Sequence, residues 1–322
     1  MSKVAITDYT FPDLDIERGI LEPLGHTVIA GQCKTEADLI GLTRNCDQVI
    51  TQFAPVNAQV IMAMERARVI VRYGIGVDNV DLACAAARGI PVCNVPDYCI
   101  DEVADHTLAL LLGLTRGLLP NHRAISKGGW GLAVPLDSMQ ALCRLTVGVI
   151  GFGRIGRAVS SRLRAFGCRL LIFDPALDAE SESAALDQII AESDIVTLHC
   201  PSNKDTRRLI NAETLARMKR GALLINASRG DLVETAALEE ALKSGHLGGA
   251  GLDVCDPEPI PAGSALRSLD NVIVSSHVAS ASPAAVRALR EAAASIAALS
   301  ARGEPLPNVV NGVEFHQSNL AP

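Results

Sequence analysis

Short apolar runs rich in β-branched residues recur through the first hundred positions, at 4–7, 27–30, 49–51 and 69–72. Helical patterning fills the gaps, from about Pro12 to Leu24, after Thr35 and after Asn57. Runs this short, apolar at consecutive positions, predict strands covered on both faces. Strands separated by helices are joined by crossovers, so the sheet is parallel. The pattern predicts an open α/β domain of the flavodoxin-like kind. A longer helical pattern starts near Asp101, runs through Leu108–Leu112 towards Gly117, and carries Asp101 and Glu102 in its first turn, where a helix favours acids. Its length suits a connector between domains.

A second series follows, at 147–150, 170–173, 195–199, 222–226, 249–253 and 272–275, again with helices between. Six such strands predict a Rossmann-type sheet. The fold class is therefore α/β, with two doubly wound parallel-sheet domains and a ligand in the cleft between them, outside the carboxyl ends of the strands. An alanine-rich helix from about Pro283 to Ser300 is expected to cross back to the first domain, before Pro305, Pro307 and a polar tail over Asn311–Pro322 too short to be a domain. Between Thr115 and Leu145 lies a stretch without clear periodicity, holding Gly128, Gly129, Gly131 and the only tryptophan, Trp130. A linker of that length inside a compact domain is either a loop over the cleft or an arm gripping a second subunit, and the arm is favoured.

The segment from Val147 to Asp174 is an apolar strand, a turn Gly151-Phe152-Gly153-Arg154-Ile155-Gly156, a helix, and a second apolar strand ending in Asp174-Pro175. Gly151 permits the tight turn, Gly153 the approach of backbone N–H groups to a pyrophosphate, and Gly156 the close packing of helix on strand. A carboxylate at Asp174 can accept the hydroxyls of an adenosine ribose and would repel a 2′-phosphate, so NAD (or NADH) is favoured over NADP. A turn or N-cap role before Pro175 is compatible with the same placement.

Composition narrows the partners. The net charge is −7 with acids and bases interspersed and no basic run, which argues against nucleic acid or an anionic membrane and for a small metabolite. Nine scattered cysteines without a Cys-x-x-Cys suggest neither a disulfide framework nor a metal site. With no signal-like start and no apolar stretch long enough to span a bilayer, the expected location is cytoplasmic.

Three ionisable residues follow strand ends of the second series: Arg229 after Asn226-Ala227-Ser228, Glu258 after Asp253, and His277 after Ser275-Ser276. A guanidinium can hold a carboxylate in bidentate fashion and polarise a carbonyl. Imidazole can give or take a proton near neutral pH, and a carboxylate on its other nitrogen would fix the tautomer. Taken singly, each could be a surface charge, a turn residue or a structural histidine; their shared placement beside a dinucleotide turn is the argument for chemistry. In the first domain, Tyr73-Gly74-Ile75-Gly76 follows a strand, and its glycines could turn successive N–H groups towards a substrate carboxylate, or simply form a βα turn. Tyr73, Ile75 and Tyr98 are expected to wall the substrate pocket.

Gly74-Ile75-Gly76-Val77-Asp78-Asn79-Val80-Asp81, the Gly151–Gly156 turn, Asn226-Ala227-Ser228-Arg229-Gly230, Gly251-Leu252-Asp253-Val254 with Pro257-Glu258-Pro259, and Ser276-His277-Val278-Ala279, in that order, resemble the D-isomer-specific 2-hydroxyacid dehydrogenase family. The resemblance covers nearly the whole chain. It implies that Arg229 binds the substrate carboxylate and carbonyl, that His277 is the general acid/base and that Glu258 partners it. It further implies cofactor contacts at Val103, Arg154, Ile155, His199, Cys200, Pro201, Thr206, Asn226, Ala227, Ser228, Asp253 and Ala279, with Asp253 on the nicotinamide carboxamide. The implied organisation is a discontinuous substrate-binding domain, 1–101 with 294–322, around an NAD-binding domain, 102–293, and a homodimer formed through an arm at 117–146.

Cys93-Asn94-Val95-Pro96 and Glu102–Thr107 look closest to the branch that holds the C-terminal binding proteins, NAD-responsive corepressors, and phosphoglycerate dehydrogenases. The chain lacks the tryptophan which those corepressors carry after the histidine, and the regulatory domain of some phosphoglycerate dehydrogenases. Two functions follow: an NAD-dependent oxidoreductase acting on a small 2-keto or D-2-hydroxy acid, or an NAD(H)-sensing binding protein with little turnover. The second is disfavoured by the lack of disordered tails and basic segments through which a regulator finds partners. The sequence does not name the acid.

Overall fold

Successive side chains of a strand point to opposite faces, so a run apolar at every position needs a core on each side of its sheet. The structure, a computed structural model that describes residues 1–177 and 183–314, provides two such sheets in two compact units, Met1–Tyr98 with Ser282–Pro322 and Cys99–Ala281. Of the predicted tail, residues 315–322 lie outside the described residues.

In the first unit, β1 (Lys3–Ile6), β2 (Thr27–Ala30), β3 (Gln48–Thr51), β4 (Val69–Arg72) and β5 (Val92–Cys93) form a parallel sheet in the order β2-β1-β3-β4-β5, the flavodoxin-like arrangement. Alternation is visible in β4: Val69 and Val71 join the core beneath α1 (Asp15–Leu21), while Ile70 joins the core on the other face. That second core is covered by α2 (Glu36–Thr43), α3 (Ala58–Ala63) and α4 (Leu82–Ala87). Two-residue β5, between Pro91 and Pro96, carries too little pattern to be predicted.

The second unit begins with α5 (Ile100–Thr115). It buries Ala104, Leu108, Leu110 and Leu111 against Val147 and Val149 of its own unit. The first junction thus stands at 98/99, where 101/102 was expected. Next comes α6 (Leu118–Ser126), a helix where no periodicity was read, inside the stretch expected to be an arm. Gly117, left-handed at φ 56°, separates it from α5, and Pro120 falls in its first turn, where the missing N–H costs no helical bond. The sheet comprises β6 (Thr146–Ile150), β7 (Arg169–Phe173), β8 (Ile195–Leu198), β9 (Leu223–Asn226), β10 (Gly249–Leu252) and β11 (Val272–Val274), in the order β11-β10-β9-β8-β6-β7. Ser183 adds a parallel bridge to Ile172 beyond β7, a remnant of the third Rossmann strand. The sheet lies between α5 with α7 (Arg154–Ala165) and the helices α8 (Leu186–Glu192), α9 (Ala212–Arg217) and α10 (Thr235–Lys243).

The last helix, α11 (Pro283–Arg302), belongs wholly to the first unit, so the second junction stands at 281/282, twelve residues before the expected 293/294. The physical reason is continuity: one helix capped by Ser282, whose hydroxyl accepts from the Ala285 N–H, packs Leu289, Ala293, Ala294 and Ala297 into the same core as Val4 and Ile6.

Candidate active site

Parallel register places Phe173, Ile150, Leu198, Asn226, Leu252 and Val274 in one row across the second sheet. The next residue after each is Asp174, Gly151, His199, Ala227, Asp253 and Ser275. Segments far apart in sequence are therefore delivered to one carboxyl edge by strand pairing alone. The connections diverge at β6, which pairs with β7 on one side and β8 on the other, and that divergence is where such sheets bind ligands.

The three motif glycines have different reasons to be glycine. Gly151 is at φ 96°, and a Cβ there would meet the backbone of His199 and Cys200. A Cβ on Gly156 would run into the Gly151 carbonyl. Gly153, the N-cap of α7, has no neighbouring atom within 4 Å of a Cβ position, so the protein itself leaves that space open in front of a helix N-terminus. A pyrophosphate fits that cradle. Asp174 sits at the turn, accepting from the Phe152 N–H at 2.7 Å and the Ala176 N–H at 2.9 Å, while Pro175 is exposed. Carboxylate oxygens accept more than one bond each, so ribose hydroxyls can still be received. Arg154 is exposed and Ile155 half-buried on the first turn of α7.

On the neighbouring strand end, burial pushes the His199 imidazole down to about 4, so the ring is neutral, and its Nε2 lies 2.9 Å from the Thr197 hydroxyl. Burial pushes the Cys200 thiol up to about 11, which makes it a packing group and not a thiolate. The Thr206 hydroxyl donates to the Pro201 carbonyl at 2.7 Å and folds 201–206 back on itself. Ser228 Oγ donates to the Cys200 carbonyl at 2.6 Å, tying this turn to the next. There the Asn226 side chain, fully buried, donates to the Arg229 carbonyl at 2.8 Å and accepts from the Ser228 N–H at 3.0 Å, forming the turn that presents Arg229. Arg229 Nη1 donates to the Ser228 carbonyl at 2.8 Å. A Cβ on Gly230 would run into the Cys255 carbonyl, so this turn lies directly against the segment leading to Glu258.

Glu258 and His277 meet: Oε2 is 3.0 Å from Nδ1, and Oε1 accepts from the Cys255 N–H at 3.0 Å. Burial would raise the Glu258 carboxyl, but the hydrogen bonds from His277 and Cys255 and the imidazole charge outweigh it and hold the group below the usual carboxylate range. His277 itself is left-handed, φ 57°, an uncommon conformation for a residue with a Cβ. Its N–H donates to the Asp253 carbonyl at 2.7 Å. The Asp253 carboxylate, buried, accepts from the Ser275 hydroxyl at 2.6 Å and from the N–H groups of Val278 at 3.0 Å and Ala279 at 2.8 Å. Its two oxygens are thus engaged in holding the loop, a role the sequence did not suggest. Val103 is buried in α5. His106 and Ser275, which complete this network at 2.8 Å, were missed because each reads as an ordinary helix or loop residue.

In the first unit the expectation for Tyr73 is corrected. Its side chain is 1% exposed, packs edge-on to Phe11 and donates to buried Glu17 at 2.9 Å, so it faces the core instead of a pocket. The Gly74 N–H donates to the Arg72 carbonyl at 2.9 Å, which removes it from any anion nest; no hydrogen bond among the described residues uses the N–H of Ile75 or Gly76. Asn94 steadies the turn by donating to the Ile75 carbonyl at 2.7 Å.

Residues 108–279 match the family described as D-isomer specific 2-hydroxyacid dehydrogenase, NAD binding domain. The chain is 38% identical over 282 residues to a glyoxylate reductase of Korarchaeum cryptofilum, covering 85% of each protein. It is 36% identical over 281 residues to the D-3-phosphoglycerate dehydrogenase of Mycobacterium leprae, covering 85% of this chain and 52% of that one. Among solved structures, the D-lactate dehydrogenase of Aquifex aeolicus complexed with NAD and lactic acid superposes with a TM-score of 0.84 at 28% identity, over 94% of this chain and 96% of the other. With its two parallel sheets and its dinucleotide turn, the chain belongs to the D-isomer specific 2-hydroxyacid dehydrogenase family and is an NAD-dependent oxidoreductase of that family.

Proposed function

We propose that the protein interconverts a small 2-keto acid and its D-2-hydroxy acid, with His277 as general acid/base. The observation that carries this reading is the Glu258–His277 pair at 3.0 Å, set on the carboxyl edge of the same sheet as the dinucleotide turn. When bound, NADH supplies the hydride for the keto carbon. His277, held at Nδ1 by Glu258, gives its Nε2 proton to the carbonyl oxygen during reduction and takes it back in the reverse direction. Arg229 binds the substrate carboxylate and polarises the carbonyl. The Gly151–Gly156 turn and the α7 N-terminus hold the pyrophosphate, and Asp174 the ribose, so NAD(H) is preferred over NADP(H). His199, Cys200, Pro201, Thr206, Asn226, Ala227, Ser228, Val103 and Ala279 line the rest of the cofactor surface. In the first unit the turn through Ile75 and Gly76 is proposed as a carboxylate-binding element through its N–H groups. The names of the relatives favour a short acid of the glyoxylate or lactate kind. The test is NADH oxidation by purified protein across glyoxylate, pyruvate, hydroxypyruvate and bulkier 2-keto acids: turnover on the short acids supports the reading, and none on any acid overturns it.

We further propose a homodimer formed through residues 117–146 and a cytoplasmic location. Trp130 is 94% exposed, with Leu118, Leu132 and Leu136 also exposed, more apolar surface than one short segment normally leaves to water. A cavity of about 860 Å³, lined in part by Leu114, Val134, Pro135 and Ile273, lies at the amino edge of the sheet, away from the proposed chemistry, and offers such side chains a seat. The nine cysteines are all free, in keeping with a reducing compartment. Sedimentation of the wild type against Trp130→Ser tests the dimer: a wild-type monomer overturns it.

A further inference from the structure

His277 stands in a left-handed conformation, which costs about 1 kcal/mol or more for a residue with a Cβ, so the surrounding structure must hold it there. The holding is done by Asp253. Its carbonyl takes the His277 N–H and its carboxylate takes the next two N–H groups, those of Val278 and Ala279. What fixes the carboxylate in turn is Ser275, whose hydroxyl donates to Oδ1 at 2.6 Å, and behind Ser275 stands His106 of α5, with Nε2 2.8 Å from the hydroxyl oxygen and 3.6 Å from Asp253 Oδ1.

We propose that His106 is a positioning residue for His277, acting through Ser275 and Asp253. The inference rests on the proposed acid/base role of His277. A serine hydroxyl has one hydrogen, and here it is committed to the charged carboxylate, which is the stronger acceptor. The contact between Nε2 and the hydroxyl oxygen then requires His106 to be the donor, so its proton sits on Nε2. One donated hydrogen bond from a helix thus orients the serine, the serine orients the carboxylate, and the carboxylate sets the backbone that aims the acid/base imidazole. His106 is not there to fill the core. About a quarter of its side chain is exposed, while Ala104, Thr107 and Leu108 beside it are buried. The network as a whole stabilises the loop, but the specific claim concerns aim: a small displacement of a proton-transfer group lowers the chemical step, with cofactor affinity largely kept.

The experiment compares wild type with His106→Leu, His106→Gln, Ser275→Ala and the double variant His106→Leu with Ser275→Ala, measuring kcat on the best 2-keto acid, KM for that acid, and NADH affinity by fluorescence. His106→Leu and Ser275→Ala are each expected to lower kcat about tenfold or more with NADH affinity within about threefold of wild type. His106→Gln, which keeps an N–H donor, is expected to recover most of kcat. The double variant is expected to be no worse than the poorer single one, because both break the same chain. Wild-type kcat in His106→Leu, multiplying losses in the double variant, or a loss of NADH affinity matching the loss of kcat would each overturn the proposal. Should His106→Leu fail to fold, Ser275→Ala and His106→Gln carry the same test. His277→Ala in the same assay separates the two claims: full turnover in that variant removes the acid/base reading itself, whereas an inactive His277→Ala beside a fully active His106→Leu removes only the positioning role.

Discussion

Nδ1 of His277 lies 3.0 Å from Oε2 of Glu258, although the loops that carry them follow different strands, β11 and β10. In the proposed reaction the pairing holds Nδ1 on the carboxylate, makes Nε2 the nitrogen that exchanges the proton, and gives the developing imidazolium a countercharge. Glu258→Gln keeps the shape and removes the charge, so kcat is expected to fall about tenfold to a thousandfold with NADH affinity little changed. Unchanged kcat in that variant would show that the carboxylate has no part in the chemistry.

The same pair has a pH signature in stability. The folded Glu258 carboxyl lies below its ordinary value of 4.5, so protons favour the unfolded chain. The contribution is present above pH 4.5 and is lost as pH falls through the lower folded value. The melting temperature of wild type minus that of Glu258→Gln is expected to shrink as pH drops below 4.5, and a difference that grows on acidification contradicts the assignment.

The glycines of the dinucleotide turn separate folding from binding. Gly156→Ala forces a Cβ against the Gly151 carbonyl and is expected to lower stability by about 1–3 kcal/mol and to impair binding as a consequence. Gly153→Ala meets no protein atom, so its melting temperature should stay near wild type while NADH affinity falls about tenfold or more. Equal NADH affinity in a folded Gly153→Ala would remove this turn from the cofactor surface.

The carboxyl row at the sheet edge was legible because each strand is a short apolar run that gives way to a polar or glycine residue at the same register, or one position earlier at Asn226. The three glycines, Asp174, Arg229, Glu258 and His277 could therefore be singled out one strand end at a time. The missed features depend on partners distant in sequence. Tyr73 reads as a pocket wall until Glu17 from α1, paired with Arg290 from α11 at 2.7 Å, is seen to receive its hydroxyl in the core. His106 and Ser275 are separated by 169 positions, and neither carries a local signal for the bond between them. The helix α6 escaped because a left-handed Gly117 and Pro120 interrupt the pattern that would have announced it.

In the proposed function, cofactor choice rests on Asp174. Wild type is expected to prefer NADH to NADPH, and Asp174→Ala to narrow that preference about tenfold or more by removing the charge that repels a 2′-phosphate. The variant also gives up the bond from the Phe152 N–H, so a small loss of stability, about 1 kcal/mol, should accompany it. An unchanged preference would show that discrimination is made elsewhere.

Burial holds His199 at about 4, below its ordinary 6.5. Above pH 6.5 both folded and unfolded chains carry it neutral and it has no pH effect. As pH falls from 6.5 towards 4 the unfolded chain takes up a proton that the fold refuses, so stability declines through that window. The wild-type melting temperature should therefore fall more steeply than that of His199→Gln between those values, and parallel curves would contradict a buried neutral ring.

The most direct test of the account is turnover of NADH and a short 2-keto acid by His277→Ala, with NADH affinity measured on the same sample. A loss of about a hundredfold or more in kcat is expected, with NADH affinity within about threefold of wild type. Wild-type turnover in a folded His277→Ala that binds NADH normally would contradict it.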